Sequence, residues 1–469
     1  MSFSMLGLLL ATFQPTSLQD SCLSSRFYGI YNHGDATTRS LFAGDLECLT
    51  SFDFSRGDVA FAAYTPNSDD VLAWVYQAPV SEDLLSSYPP FPQALDAFVD
   101  QIYPKGSYND PSQHPIGSSW DGAIMYRSNS SALLHVKSEI ARDIDTLIPP
   151  MWKAALLPPS PITSYPVPSD DVKRIKDVTS SLKFSPDIAA TVNSISIPQM
   201  RNDIRFLTGE DDKSGIISRH SFAEGSRVAA AWLRDRFEET GARCTLKSFS
   251  QGFAPNVICR YDADVKTNAT AILGAHYDSR GSFGNTRAPG GDDDGSGTIS
   301  LLSIARTIAS KNVKFHTNVE LVAFAGEEQG LVGSRAYARE LRAAGANVTM
   351  MIQADMLAYR APNEPLQLGL PESIGTPAVV QLVSNVSALY SPELTVGFTK
   401  ACCSDHQSFH EQGFASTQVF ERAGWIADPM YHNSGDLSDR EGYDFEQVKA
   451  IAKVQFATLL HVAGFALGV

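Results

Sequence analysis

Residues 271–279 read AILGAHYDS, and residues 290–302 read GGDDDGSGTISLL. The first is an apolar run of buried-strand length that breaks into His276 and Asp278. The second is an acidic, glycine-rich turn opening onto a helical pattern in which Leu301, Ile304, Ala305 and Ile308 share one face. A buried strand followed by such a helix is the repeating unit of a sheet covered on both sides. Further apolar runs of the same kind, NVELVAFAG (318–326), VTMMIQADM (348–356) and ASTQVFE (415–421), recur with helical patterns between them. From about residue 185 onward the chain therefore reads as α/β, with a mixed, mostly parallel sheet covered by helices. In such sheets the ligand crevice lies outside the carboxyl ends of the strands, and His276, Glu327, Glu328 and Asp355 fall there.

Working outward, Ser221-x-x-Glu224 reads as a capping box that starts a helix carrying Val228, Trp232 and Leu233 and ending at Gly241. Residues 444–467 read as one amphipathic helix that becomes more apolar toward its end. Upstream, PPSPITSYPVP at 158–168 cannot continue a helix or a central strand, so residues 158–184 are expected to form a linker. Ahead of it, DVAFAAYT, DVLAWVYQ, GAIMYRS and SALLHVKS read as strands and PQALDAFVDQIY as a helix, giving a smaller α+β or β-rich domain over 20–157. The catalytic domain is expected over 185–469. Lys173-Arg174 is a dibasic pair of the kind processing proteases cut, though two solvated charges beside Asp170-Asp171 explain it equally well.

The whole chain has 469 residues, 43% hydrophobic and 19% charged, which is ordinary for folded proteins and long enough for two or more cores. A formal charge of −15 repels phosphate backbones and anionic lipid, so neither nucleic acid nor a membrane is an expected partner. The apolar run from Met5 to Phe13 has the length of a leader h-region, and residues 1–19 are read as a signal peptide despite lacking a basic start. Sequons at Asn129, Asn268, Asn347 and Asn385 fit a secreted, glycosylated route, with a vacuolar destination as the variant. Six cysteines would pair in an oxidising compartment. Proximity in sequence suggests Cys22 with Cys48, Cys244 with Cys259, and Cys402 with Cys403, one of the many pairings six cysteines allow.

Five segments end strands or fill loops with hard metal ligands: GAHYDS (274–279), GGDDDGSG (290–297), AGEEQG (325–330), ADM (354–356) and YHNSGD (431–436). Any one alone is ordinarily a solvated loop, a helix cap or a surface histidine. Together they offer two imidazoles and a set of carboxylates, which is what two zinc ions about 3.5–4 Å apart need: one bridging carboxylate and a capping pair on each side. The glycines let one aspartate of the triplet point between two metals. The adjacent glutamates can diverge, one toward metal and one toward the reacting water. Asp278, two residues from His276 on an extended segment, is a partner for that imidazole, with an ion pair to Arg280 as the competing view. Asp355 follows a strongly apolar strand, where an unpaired carboxylate is costly. His220, His406 and His410 have no place in the set and are read as structural.

These segments, in this order, resemble the two-zinc aminopeptidases typified by secreted leucine aminopeptidases, over roughly residues 185–466, and SDHQSFHEQGF at 404–414 resembles a further stretch of that family. The resemblance implies Asp293 as the bridging ligand, His276 and Asp355 on one zinc, Glu328 and His432 on the other, and Glu327 as general base. It also implies peptide substrates with a bulky apolar N-terminal residue, and a monomer is expected. Tyr431 is similar to an oxyanion-binding tyrosine of some members. Others carry that tyrosine in a Cys-flanked turn, which here reads KACC and has none. Single-zinc glutaminyl cyclases and inactive binding ectodomains resemble the same pattern and are the alternatives. The N-terminal domain lies outside the resemblance and is expected to be a propeptide.

Overall fold

In the computed structural model, which describes residues 4–12, 22–35, 37–44, 47–48, 57–64, 70–103, 123–282 and 285–468, the run AILGAH completes an interior strand, Ala269–His276, of a six-stranded sheet. It pairs in parallel with Asn318–Phe324 on one side and Asn347–Ala354 on the other, and the latter pairs in parallel with Ser416–Val419. Asn256–Tyr261 and Arg243–Lys247 extend the other edge antiparallel. The sheet is thus mixed and mostly parallel. Alternation along the strand sorts its side chains: Ala271, Leu273 and Ala275 pack with helices Gly295–Ser310 and Phe445–Ala463, whereas Ile272 joins Tyr337, Ala338 and Phe409 on the opposite face. Helix Gly295–Ser310 is buried around nearly its whole circumference, which explains why its pattern is more apolar than one amphipathic stripe requires.

Three local expectations change. Helix Glu224–Glu238 starts without a side-chain cap, because the Ser221 hydroxyl is buried and engaged elsewhere. The C-terminal helix starts at Asp444 as expected, with the carboxylate accepting the N–H of Glu446, but it stops at Ala463. Gly464 takes φ +64°, and Phe465–Leu467 turns back as a strand against Val313–Phe315. Within the stretch expected as a linker, Ser169–Ser181 is a helix whose Ile175 is fully buried in the same core as the large sheet. Lys173 and Arg174 lie on this helix, in ion pairs with Asp177 and Asp171.

The chain divides into two compact units, Met1–Ser164 and Tyr165–Val469. Among its described residues the first holds two four-stranded antiparallel sheets. Along Asp70–Gln77, Trp74 and Tyr76 pack with Leu8, Leu10, Tyr31 and Leu41 of the other sheet, while Ala73 and Val75 pack beneath helix Phe91–Ile102. The unit is therefore α+β, with the strands and the helix where the alternation put them. Ser4–Ala11, within the run read as a leader, is an interior strand paired with both Thr38–Gly44 and Gly57–Tyr64. Residues 13–19, where that leader would end, lie outside the described residues. All six cysteines pair in the expected way, Cys22–Cys48, Cys244–Cys259 and Cys402–Cys403. No described helix is long and apolar enough to cross a membrane.

Candidate metal centre

His276 is the last residue of its strand, Asp355 follows Asn347–Ala354, and Glu327 and Glu328 follow Asn318–Phe324, so three adjacent parallel strands deliver their carboxyl ends to one place. The aspartate triplet reaches the same place on a turn before helix Gly295–Ser310. Gly290 makes that turn with φ +52°, and a Cβ there would stand 2.4 Å from the Asp293 carbonyl oxygen. His432 arrives on a separate loop with φ +51°. A left-handed conformation at such a residue costs on the order of 1–2 kcal/mol, which the surrounding hydrogen bonds must offset.

Two groups of ligand atoms form, His276 with Asp293 and Asp355, and Asp293 with Glu328 and His432. Asp293 belongs to both: one oxygen lies 3.3 Å from Nε2 of His276, and the other 3.1 Å from Nε2 of His432. Asp355 stands 3.8 Å from the first imidazole and Glu328 3.1 Å from the second. Burial would raise the Asp293 pKa, but His276 and His432 outweigh it and hold the carboxyl well below its usual range. Neither Nε2 has a hydrogen-bond partner, nor has either Glu328 oxygen, although all are buried. Orphaned buried atoms of this kind are expensive, and a cation seated among them would satisfy them together. The donor set of imidazole nitrogens and carboxylates fits a divalent transition metal.

The carboxylates around this set are saturated by the backbone. Asp292 accepts the N–H groups of Ala358 at 2.8 Å and Tyr359 at 3.2 Å. Asp294 accepts those of His276 at 3.0 Å, Gly297 at 2.9 Å and Met356 at 3.2 Å, capping its helix while fixing two ligand-bearing strand ends. Asp278 accepts from the N–H groups of Glu327 and Glu328, 3.3 Å each, and from the Ser221 hydroxyl at 3.0 Å. Its carboxylate stands 3.6 Å from Nδ1 of His276, but the closer partner of that nitrogen is the Asp278 carbonyl at 3.1 Å. A proton donated there leaves Nε2 as the free lone pair. Arg280 does not turn to Asp278: its guanidinium lies 2.9 Å from Nδ1 of His432.

Glu327 is buried beside Glu328, yet only Glu328 joins a ligand group among the described residues. Tyr431 is buried and stacks on the His432 ring, centroids 3.8 Å apart. His406 is in neither ligand group; it is buried with Nε2 on the Ile374 carbonyl, and burial depresses it to about 3. His220 meets the Gln329 amide, and burial also lowers His410. Sequence reasoning missed Ser221, whose hydroxyl also accepts the Gly326 N–H at 2.8 Å, and Arg219. That fully buried guanidinium donates to the carbonyls of Leu207, Tyr277, Pro289 and Gly290, tying the His276 strand end to the aspartate turn. No local motif marks Arg219, and the one that marks Ser221, its spacing to Glu224, points to a helix cap instead.

A mixed sheet whose carboxyl ends gather two imidazole-carboxylate groups around one shared aspartate is the architecture of a metal-dependent hydrolase. A sequence profile of peptidase family M28 matches residues 256–458. Leucine aminopeptidase 1 of Neurospora crassa is 30% identical over 302 residues, covering 60% of this chain and 72% of that one. Its counterpart in Sclerotinia sclerotiorum is 33% identical over 281 residues, 55% of this chain and 70% of that one. With likeness of that depth across the segments that carry the ligands, the chain belongs to peptidase family M28 and is a metallo-aminopeptidase. The crystal structure of the LapA aminopeptidase of Legionella pneumophila shares the fold, with a TM-score of 0.58 at 17% identity over 86% of this chain and all of that one.

Proposed function

We propose that the chain is a secreted aminopeptidase that uses two zinc ions to remove bulky apolar residues from the N-termini of peptides. The observation that carries this reading is the set of orphaned buried atoms around Asp293: two imidazole nitrogens and both Glu328 oxygens converge on a carboxylate that faces both groups. Asp293 would bridge, His276 and Asp355 would hold one ion, and Glu328 and His432 the other. Zinc accepts such nitrogen and oxygen donors and leaves positions open. When bound, the ions supply Lewis acidity at the scissile carbonyl and lower the pKa of the attacking water toward about 7.

The chain's own residues do the rest. Glu327 takes the proton from water as it attacks and returns it to the departing amine. The Asp278 carboxylate, gripping the N–H groups of both glutamates, keeps their side chains on separate tasks. Tyr431, beside a ligand, donates to the oxygen that gains charge in the transition state. The acidic surroundings attract the substrate's free α-ammonium group. The preference for leucine-like residues is supported by the names of the relatives, and secretion by three disulfides. Hydrolysis of leucine anilide that chelator abolishes and zinc restores, and that Glu327→Gln nearly eliminates, is the expected result. One zinc per chain without hydrolysis would instead favour cyclase chemistry.

The unit Met1–Ser164 is read as a propeptide that is cut off within residues 158–164. That stretch has no regular structure and its residues 159–161 are exposed, whereas Lys173-Arg174 sits on a packed helix that a protease would first have to unwind. A leader cut near residue 19 would remove the interior strand Ser4–Ala11 before this unit folds. N-terminal sequencing of the mature protein tests both points: a start within about 159–165 is expected, and a start before about residue 40 would make the unit a permanent accessory domain.

A further inference from the structure

Behind the ligands, one side chain reaches both of the turns that carry Asp293 and His432. Arg440 is buried to nine-tenths, and its guanidinium donates to both oxygens of Asp428, through Nη1 at 2.8 Å and through Nη2, while Nη2 also donates to Asp436 at 3.0 Å. These two carboxylates serve different turns. Asp436 accepts the N–H groups of Asp292 and Asp293, each at 3.0 Å, and its carbonyl accepts the N–H of Gly291 at 2.7 Å, so it grips the backbone of the bridging ligand itself. Asp428 accepts the Met430 N–H at 2.9 Å through its carboxylate and the Tyr431 N–H at 3.2 Å through its carbonyl, which shapes the approach to His432. The two carboxylates are held against their mutual repulsion by the one cation between them, and the Tyr359 ring lies 5.4 Å from that cation.

We propose that Arg440 is a positioning residue for the metal pair. By bonding Asp428 and Asp436 at once it fixes the spacing between the turn of Asp293 and the loop of His432, and with it the width of the second ligand group. A planar guanidinium can span two carboxylates with separate N–H groups, and a lysine ammonium on its flexible stem cannot reproduce that span. His432, whose backbone is held in a left-handed conformation, has most to lose when the span is gone.

The inference rests on the two-zinc reading, and the experiment separates the two. Zinc content and zinc affinity, the latter by chelator competition, are measured on the full chain as wild type, Arg440→Met, Arg440→Lys, and Arg440→Met combined with Asp428→Asn. Arg360→Met, which removes a half-exposed ion pair with Asp444, a residue outside both ligand groups, is the control. Circular dichroism reports folding. The expected result is about a ten- to hundred-fold loss of affinity for one of two zinc ions in Arg440→Met, a smaller loss in Arg440→Lys, and none in the control. In the zinc-loaded enzyme kcat falls while KM for leucine anilide stays within about threefold. A folded Arg440→Met that binds both ions as tightly as wild type, or an Arg440→Lys equal to wild type, overturns the proposal and leaves the two-zinc reading intact. Failure of every Arg440 variant to fold assigns the residue to folding and also overturns it. A wild-type chain that binds no zinc overturns the reading beneath.

Discussion

Within the triplet Asp292-Asp293-Asp294, the outer carboxylates and the middle one face opposite surroundings. The outer two are closed: every oxygen accepts a backbone N–H, from Ala358 and Tyr359 on one side and from His276, Gly297 and Met356 on the other. The middle one faces two imidazole nitrogens and a glutamate carboxylate that have no hydrogen-bond partner outside their own cluster. All three are buried and carry the same chemistry, so charge and depth do not tell a structural carboxylate from a ligand. Completeness of hydrogen bonding does. The same contrast separates Asp278, with three donors on its carboxylate, from Glu328, with none.

Substitutions that keep shape and remove charge should split along this line. Asp293→Asn is expected to abolish binding of the zinc pair, seen as metal content after dialysis, and to take leucine anilide hydrolysis below detection while the chain still folds. Retention of both ions would break the comparison. Glu327→Gln, which touches the reaction but no ligand position, should keep full zinc content and lose about 10²–10⁴ in kcat. A matching loss of zinc would move Glu327 into the ligand set.

On the closed side the effect should appear in stability. Asp294→Asn turns an amide N–H toward backbone N–H groups and should cost about 1–3 kcal/mol in urea unfolding of the zinc-free chain. A loss no greater than that of Asp293→Asn would show that the two environments do not differ. An effect that shows only as a pH dependence lies at Asp405, buried with its carboxylate on the Gln353 amide at 3.0 Å. Burial pushes its pKa up to about 7, against about 4 in the unfolded chain. The folded state therefore holds the extra proton between those values. Its stabilising contribution is complete below about pH 4 and lost as pH rises through about 7, by at most about 1.4 kcal/mol per pH unit. Asp405→Asn should flatten that slope in denaturant titrations of the zinc-free chain, and an unchanged slope would contradict the assignment.

Much of this was legible in the sequence because the period of a strand and the chemistry of a ligand are both local. AILGAH and VTMMIQA are apolar enough to fix an interior position, and whatever follows them must lie at the carboxyl edge of the sheet. The roles of near-identical neighbours were not legible by physics. Asp292, Asp293 and Asp294 differ only in which distant backbone they meet, more than 60 residues away for Ala358 and Met356. Those contacts leave no periodic trace. Ser221 was misread for the same reason: its spacing to Glu224 imitates a cap, but its hydroxyl bonds Asp278, 57 residues on. The strand Ser4–Ala11 falls where a leader was read because a buried interior strand and an h-region are both short apolar runs, and the sequence alone does not tell them apart.

The central claim is that the open side of the triplet holds a metal pair. Mass spectrometry of the purified full chain under non-denaturing conditions, before and after chelation and after zinc is restored, tests it most directly. Two zinc ions per chain, lost and regained together with leucine anilide hydrolysis, is the predicted result. A single ion, or hydrolysis that persists in the fully zinc-free chain, would contradict it.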